Sequence, residues 1–107
     1  MAKYIITYLG GNRPSNPEEG KQNMEKYIAW LSSLGSSAVS PANPLKNTQT
    51  VNPDGSVTNG SKTSMSGFTL IETDSMEAAL SAAKKCPFLE VGGSVEVSEL
   101  IQMSNSK

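Results

Sequence analysis

Tyr4-Ile5-Ile6-Thr7-Tyr8-Leu9, closed by Gly10-Gly11, is the stretch on which the fold turns. Its aromatic and β-branched residues, and the glycines that stop it, predict a strand over residues 3–9. Strand side chains alternate, so Tyr4, Ile6 and Tyr8 share one face while Ile5 and Leu9 share the other. A sheet covered by helices on one face should alternate apolar with polar. This strand is apolar on both faces. A strand predicted over residues 66–73 repeats the pattern, with Phe68 and Leu70 set against Ile71. Each large apolar side chain left in water forfeits roughly 1.5–3 kcal/mol of burial. A chain of 107 residues supports one core and has no third layer to spare. A second copy packed sheet to sheet about a two-fold axis is therefore expected. The competing view is that these are isolated surface apolars, which folded proteins tolerate.

The helix after the first strand is well punctuated. Residues 10–16 are loop-forming, and residues 17–34 read as a helix. Ser15 or Asn16 can cap it, Pro17 suits its first position, and Glu18 and Glu19 complement its dipole. Met24, Tyr27, Ile28, Leu31 and Leu34 recur at helical spacing, and Gly35 is a stop. Ser37 to Ser40 read as a short strand, with Pro41 and Pro44 breaking the chain after it. Asn52-Pro53-Asp54-Gly55 is a turn flanked by Thr48 to Val51 and Ser56 to Thr58. The polar stretch 46–66 is thus a hairpin or a mobile lid. Asp74-Ser75-Met76-Glu77 fits a capping box with Asp74 as cap. Met76, Ala79, Leu80 and Ala83 then stripe a second helix, with Lys84 and Lys85 in its last turn and Pro87 ending it. A last strand comes next over residues 94–100, where Val95 and Val97 alternate with Glu96 and Ser98. Strand, helix, strand, hairpin, strand, helix, strand is a split βαβ plan: an α+β, ferredoxin-like antiparallel sheet with two helices on one face. Residues 1–101 form the single domain and 102–107 a flexible tail.

Composition narrows the chemistry. Nine basic and ten acidic residues give a net charge of −1 with no block of like charge, which argues against nucleic acid and anionic membrane as partners. The N-terminal apolar run is too short to span a bilayer and lacks a cleavage-site pattern. With one cysteine, Cys86, no internal disulfide forms, and a cytoplasmic location is expected. The sequence has no histidine, which removes much catalytic and metal chemistry, histidine-ligated haem included. Glu72, Asp74 and Glu77, with Glu96 and Glu99, have no recognisable metal-ligand spacing; neither metal nor cofactor is expected. Cys86 lies just past a helix C-terminus, which disfavours a thiolate, and has no histidine base, so a structural role is favoured.

Pro17-Glu18-Glu19-Gly20, Met24, Tyr27, Ala29-Trp30-Leu31 and Leu34-Gly35 together resemble the first helix of YCII-related proteins, including their DGPF-type branch. Asn43-Pro44-Leu45 is similar to the Asp-Pro-Leu after their second strand, and Gly67-Phe68-Thr69-Leu70-Ile71-Glu72 to their third strand. Ala78-Ala79, Cys86-Pro87 and Gly93-Ser94-Val95-Glu96-Val97 resemble their second helix and closing strand. The resemblance spans about residues 3–100 and implies a dimeric α+β barrel with a cleft near the start of the first helix and the loop after the second strand. Family members often carry a histidine in that helix and an aspartate in that loop. The matching positions here are Asn23 and Asn43, and Asn59-Gly60-Ser61-Lys62 stands near where the DGPF segment would be. Amides hold ligands by hydrogen bonds but do not exchange protons near neutral pH.

Asn23 and Trp30 lie seven residues apart, on nearly one side of the helix. With Tyr8 and Asn43 they are candidates to line a small-molecule pocket; Trp30 alternatively belongs to the core or to a dimer contact. Arg13, after Gly10-Gly11-Asn12, sits in a loop that either binds an anion or is only a turn. Three functions stay open: a small-ligand-binding homodimer, an enzyme of the same architecture (isomerase, lyase or cofactor-free monooxygenase), and a structural or protein-interaction module.

Overall fold

The computed structural model describes residues 2–11 and 15–101. β1 (Ala2–Gly10), α1 (Pro17–Leu34), β2 (Ala38–Pro44), β3 (Gln49–Val51), β4 (Val57–Asn59), β5 (Met65–Thr73), α2 (Met76–Ala83) and β6 (Gly93–Glu99) succeed one another along the chain. Four strands form one antiparallel sheet in the order β2-β5-β1-β6, and β3 and β4 form a separate hairpin. Removing the hairpin leaves the split βαβ arrangement, so the α+β ferredoxin-like expectation holds. The Arg13 site and the 102–107 tail lie outside the described residues.

The core lies between the sheet and the two helices. Tyr4, Ile6 and Tyr8 of β1 and Ile71 of β5 meet Trp30 of α1 and Ala79 and Ala83 of α2. Opposite them, Ile5 and Leu70 are register partners on the far face, as are Thr7 and Phe68. On β1 and β5 that far face is apolar, whereas β6 presents Ser94, Glu96 and Ser98 there, paired with Leu9, Thr7 and Ile5. The chain measures 18 Å along its shortest axis, the depth of one sheet and one helix layer.

Asn16 caps α1: its side-chain oxygen accepts from the Glu19 backbone N–H at 2.8 Å, and the Glu19 carboxylate accepts from the Ser15 N–H at 3.2 Å. The reciprocal capping pattern is therefore at α1. At α2 the cap is Ser75, accepting from the Ala78 N–H at 3.1 Å, one residue later than the expected Asp74. A cap at Ser75 puts Ala78 where the box requires Glu, so Glu77 has no reaching-back role. Gly35 ends α1 with φ 54°, a backbone region that favours glycine. Asn16→Ala is expected to lower stability by about 1 kcal/mol, read as a fall in Tm by thermal circular dichroism.

Three further expectations are corrected. The prolines do not stop β2, which runs on to Pro44, because β2 is an edge strand and needs no ladder donor on its outer side. It accommodates them with register shifts between Ala38 and Ser40 and between Ser40 and Asn43. The buried stripe of α1 centres on Trp30 with Tyr27, Leu31 and Leu34, whereas Met24 and Ile28 are exposed. On α2 it is Ala79 and Ala83 that are buried, and Leu80 is exposed. The 46–66 stretch contains the hairpin form. Gly55 N–H donates to Asn52 O across the turn, and the Asp54 carboxylate accepts from Ser56 N–H and Oγ, which holds its pKa below the usual value.

Candidate functional site

A cleft of about 550 Å³ opens between the first half of α1 and one end of the sheet. Gly20, Asn23, Met24 and Tyr27 line it from α1, one helical turn apart along a single face. Tyr8 and Gly67 form its floor from the two central strands, and Ala42 and Pro44 close the β2 side. The opposite wall is Pro87, Phe88 and Val91, from a 3-10 turn at Pro87–Val91 beyond α2. Contrary to the sequence expectation, α2 ends at Ala83, so Lys84 and Lys85 fall past its last turn and Pro87 opens the next turn rather than ending the helix. The walls are almost wholly apolar, and three aromatic rings dominate them. Tyr8 and Tyr27 meet edge to face at 5.9 Å between centroids, and Tyr8 and Phe88 lie 5.5 Å apart. Aromatic pairs at these spacings are held in place by their quadrupoles as well as by burial.

Gly67 makes room for the floor. A Cβ there would sit 2.9 Å from the Asn43 carbonyl oxygen and 3.4 Å from the Tyr8 ring. The hydroxyls below the floor are paired. Tyr27 Oη–H donates to Tyr8 Oη at 3.2 Å, and Tyr8 Oη shares a hydrogen bond with Thr69 Oγ1. Burial pushes the Tyr8 phenol well above its usual pKa, so it stays protonated at neutral pH.

The cleft brings together two of the residues singled out in the sequence, Tyr8 and Asn23. Trp30 is not among its walls. It is buried, and its indole N–H donates to the Ala82 carbonyl at 3.0 Å, tying α1 to α2. Asn43 lies next to the wall residues Ala42 and Pro44, but its own amide is used inside the sheet. Its Nδ2 donates to the carbonyls of Ser40 at 3.1 Å and Phe68 at 3.2 Å, pinning the irregular stretch of β2. Of the two amides, Asn23 alone is among the cleft walls.

The sequence matches the YCII-related domain over residues 4–104. The chain belongs to the YCII-related family. No curated protein matches it. Among solved structures it is similar to 5-chloro-2-hydroxyhydroquinone dehydrochlorinase (TftG) from Burkholderia phenoliruptrix AC1100, in complex with 2,5-dihydroxybenzoquinone. The two are 18% identical with a TM-score of 0.58, over 94% of this chain and 95% of the other. That likeness is one of fold, the ferredoxin-like α+β arrangement described above.

In this YCII-related chain the cleft walls carry no carboxylate, imidazole or thiol. Cys86 is buried behind them, and burial pushes its thiol pKa up, partly offset by a backbone N–H bond at Phe88. Among the described residues, no three His, Cys, Asp or Glu side chains gather where they could hold a metal ion. None of the described helices is long and apolar enough to cross a membrane. Sequence reasoning does not single out Phe88, Gly67 or Tyr27 as site residues. For Tyr27 a signal is present, since it lies four residues after Asn23 on the same helix face.

Proposed function

We propose that this chain binds a small, flat, mostly apolar ligand in the cleft between α1 and the sheet, and that it does so as a homodimer. The aromatic cleft of about 550 Å³ carries the proposal. Its size is within the usual range for small-molecule sites, and its few polar groups, among them the Asn23 amide, suffice to orient a ligand. The fold neighbour's ligand, 2,5-dihydroxybenzoquinone, is a flat single-ring compound of the kind such walls accommodate. A binding role is favoured over proton-transfer catalysis because the polar side chains of the walls are one amide, two phenols and the Ser66 hydroxyl, and buried Tyr8 keeps its proton. The dimer is supported separately by the apolar stripe of Ile5, Leu9, Phe68 and Leu70 on the open sheet face.

Calorimetric titration with 2,5-dihydroxybenzoquinone and with hydroquinone tests the site. Saturable binding of at least one of them, one molecule per chain, is expected. Ala42→Trp adds a bulky ring to an exposed wall position and should weaken binding at least tenfold without unfolding the chain. Equal affinity in Ala42→Trp would place the ligand elsewhere.

A further inference from the structure

We propose that the cleft selects ligands that donate a hydrogen bond, a ring hydroxyl above all, and that Tyr27 Oη is the acceptor that makes the choice. The inference rests on the cleft being a ligand site and adds which polar group that ligand must carry.

Three hydroxyls stand in a row: Tyr27, Tyr8 and Thr69. Each has one proton to give. The first bond has a fixed sense, with Tyr27 donating to Tyr8 at 3.2 Å. Tyr8 is 6% exposed, so its own proton needs an acceptor inside the protein. Thr69 Oγ1 is its hydrogen-bond partner, and no buried side-chain polar atom among the described residues lacks one. The Tyr8 proton therefore goes inward to Thr69, just as the Tyr27 proton goes inward to Tyr8. With Tyr27 donating to Tyr8, a Thr69 proton turned toward Tyr8 as well would leave the Tyr8 phenol without an acceptor or require it to ionise, which its burial opposes.

A row whose protons all point inward ends in an oxygen with lone pairs and no proton. That oxygen belongs to Tyr27, a half-buried wall residue of the cleft. A ligand carbonyl, ether or halogen placed against it meets an acceptor with an acceptor. A ligand hydroxyl completes the row. Asn23, one turn earlier on the same helix face, offers both a donor and an acceptor and imposes no such sign. The surrounding walls are apolar, so the mismatch is poorly relieved by water.

The test uses hydroquinone and 1,4-difluorobenzene, which present the same ring with and without donors, each titrated into the wild-type chain and into Tyr27→Phe. The ratio of the two affinities is expected to fall about tenfold on Tyr27→Phe, equivalent to about 1.4 kcal/mol of coupling. 1,4-Difluorobenzene should itself bind Tyr27→Phe at least as tightly as wild type, which loss of packing alone would not produce. An unchanged ratio overturns the proposal while leaving the cleft as a ligand site, and so does wild-type binding of 1,4-difluorobenzene tighter than hydroquinone. Failure of both probes to bind the wild-type chain overturns the donor rule for such rings, and the ligand site with it if 2,5-dihydroxybenzoquinone also fails.

Discussion

Leu70→Glu is expected to convert the proposed dimer to single subunits, raising its dissociation constant at least a hundredfold. Leu70 stands at the middle of β5, on the face turned away from the helices, directly opposite Ile5 on β1. It is half-buried by its strand neighbours. In a two-fold sheet-to-sheet pairing each substitution is made twice. Losing the burial of one leucine costs roughly 1.5–3 kcal/mol, so the pair costs roughly 3–6 kcal/mol before any charge is desolvated. At 1.4 kcal/mol per factor of ten, that is more than a hundredfold. The single subunit should tolerate the change, because the glutamate side chain then stands in water on the open face, between Ile5 of β1 and Ser40 of β2. Sedimentation equilibrium on wild type and variant reads the shift, and circular dichroism checks that the variant is folded. A wild-type chain that sediments as one subunit at micromolar concentration would remove the dimer. A variant that dimerises as tightly as wild type would move the interface off this face.

The sequence makes that face visible because β1 breaks the rule for a one-sided sheet within six residues. It shows less about its extent. Val95 and Val97 pack against the core while Ser94, Glu96 and Ser98 face outward, so the two-sided greasiness stops at β1 and β5. α1 is legible from end to end because its caps and its stop are local features: Asn16, Pro17 and Gly35 each act within a turn. β2 is not, since whether a proline ends a strand depends on whether that strand is an edge, and edge position is a fact of topology. The α2 cap is misplaced by one residue because Asp74 and Ser75 are both good caps, and the choice depends on where β5 releases the chain. For the cleft the same division holds. Asn23 and Tyr8 are visible as residues on predicted faces. Trp30 and Asn43 share those signatures, yet Trp30 bonds to Ala82 and Asn43 to Phe68, partners 52 and 25 residues away. Phe88 leaves no periodic trace, because it sits in a single turn and its place is fixed by two glycines outside that turn, Gly93 close by and Gly11 far away in sequence.

Those glycines give the other large effect. Gly93→Ala is expected to lower stability by about 2–3 kcal/mol and to abolish ligand binding in the cleft. A Cβ at Gly93 would lie 2.1 Å from Phe88 Cε2 and 2.3 Å from Cδ2, far inside contact distance. The ring cannot escape by sliding toward β1, where a Cβ at Gly11 would already lie 2.7 Å from Phe88 Cζ, showing how closely the ring covers that backbone. Its remaining direction is toward Tyr8 and the cleft, whose wall it forms. The substitution thus acts through one side chain, and a double-mutant cycle isolates it. Phe88→Ala alone is expected to cost about 3 kcal/mol through lost packing on Tyr8. In that background Gly93→Ala should cost under about 0.5 kcal/mol, because the obstructing ring is gone and the position keeps ordinary strand backbone. Urea denaturation of the four proteins measures the coupling. Additive losses would show that Gly93 is required for a reason other than the ring above it, and Phe88 would then no longer be the wall whose position that glycine sets.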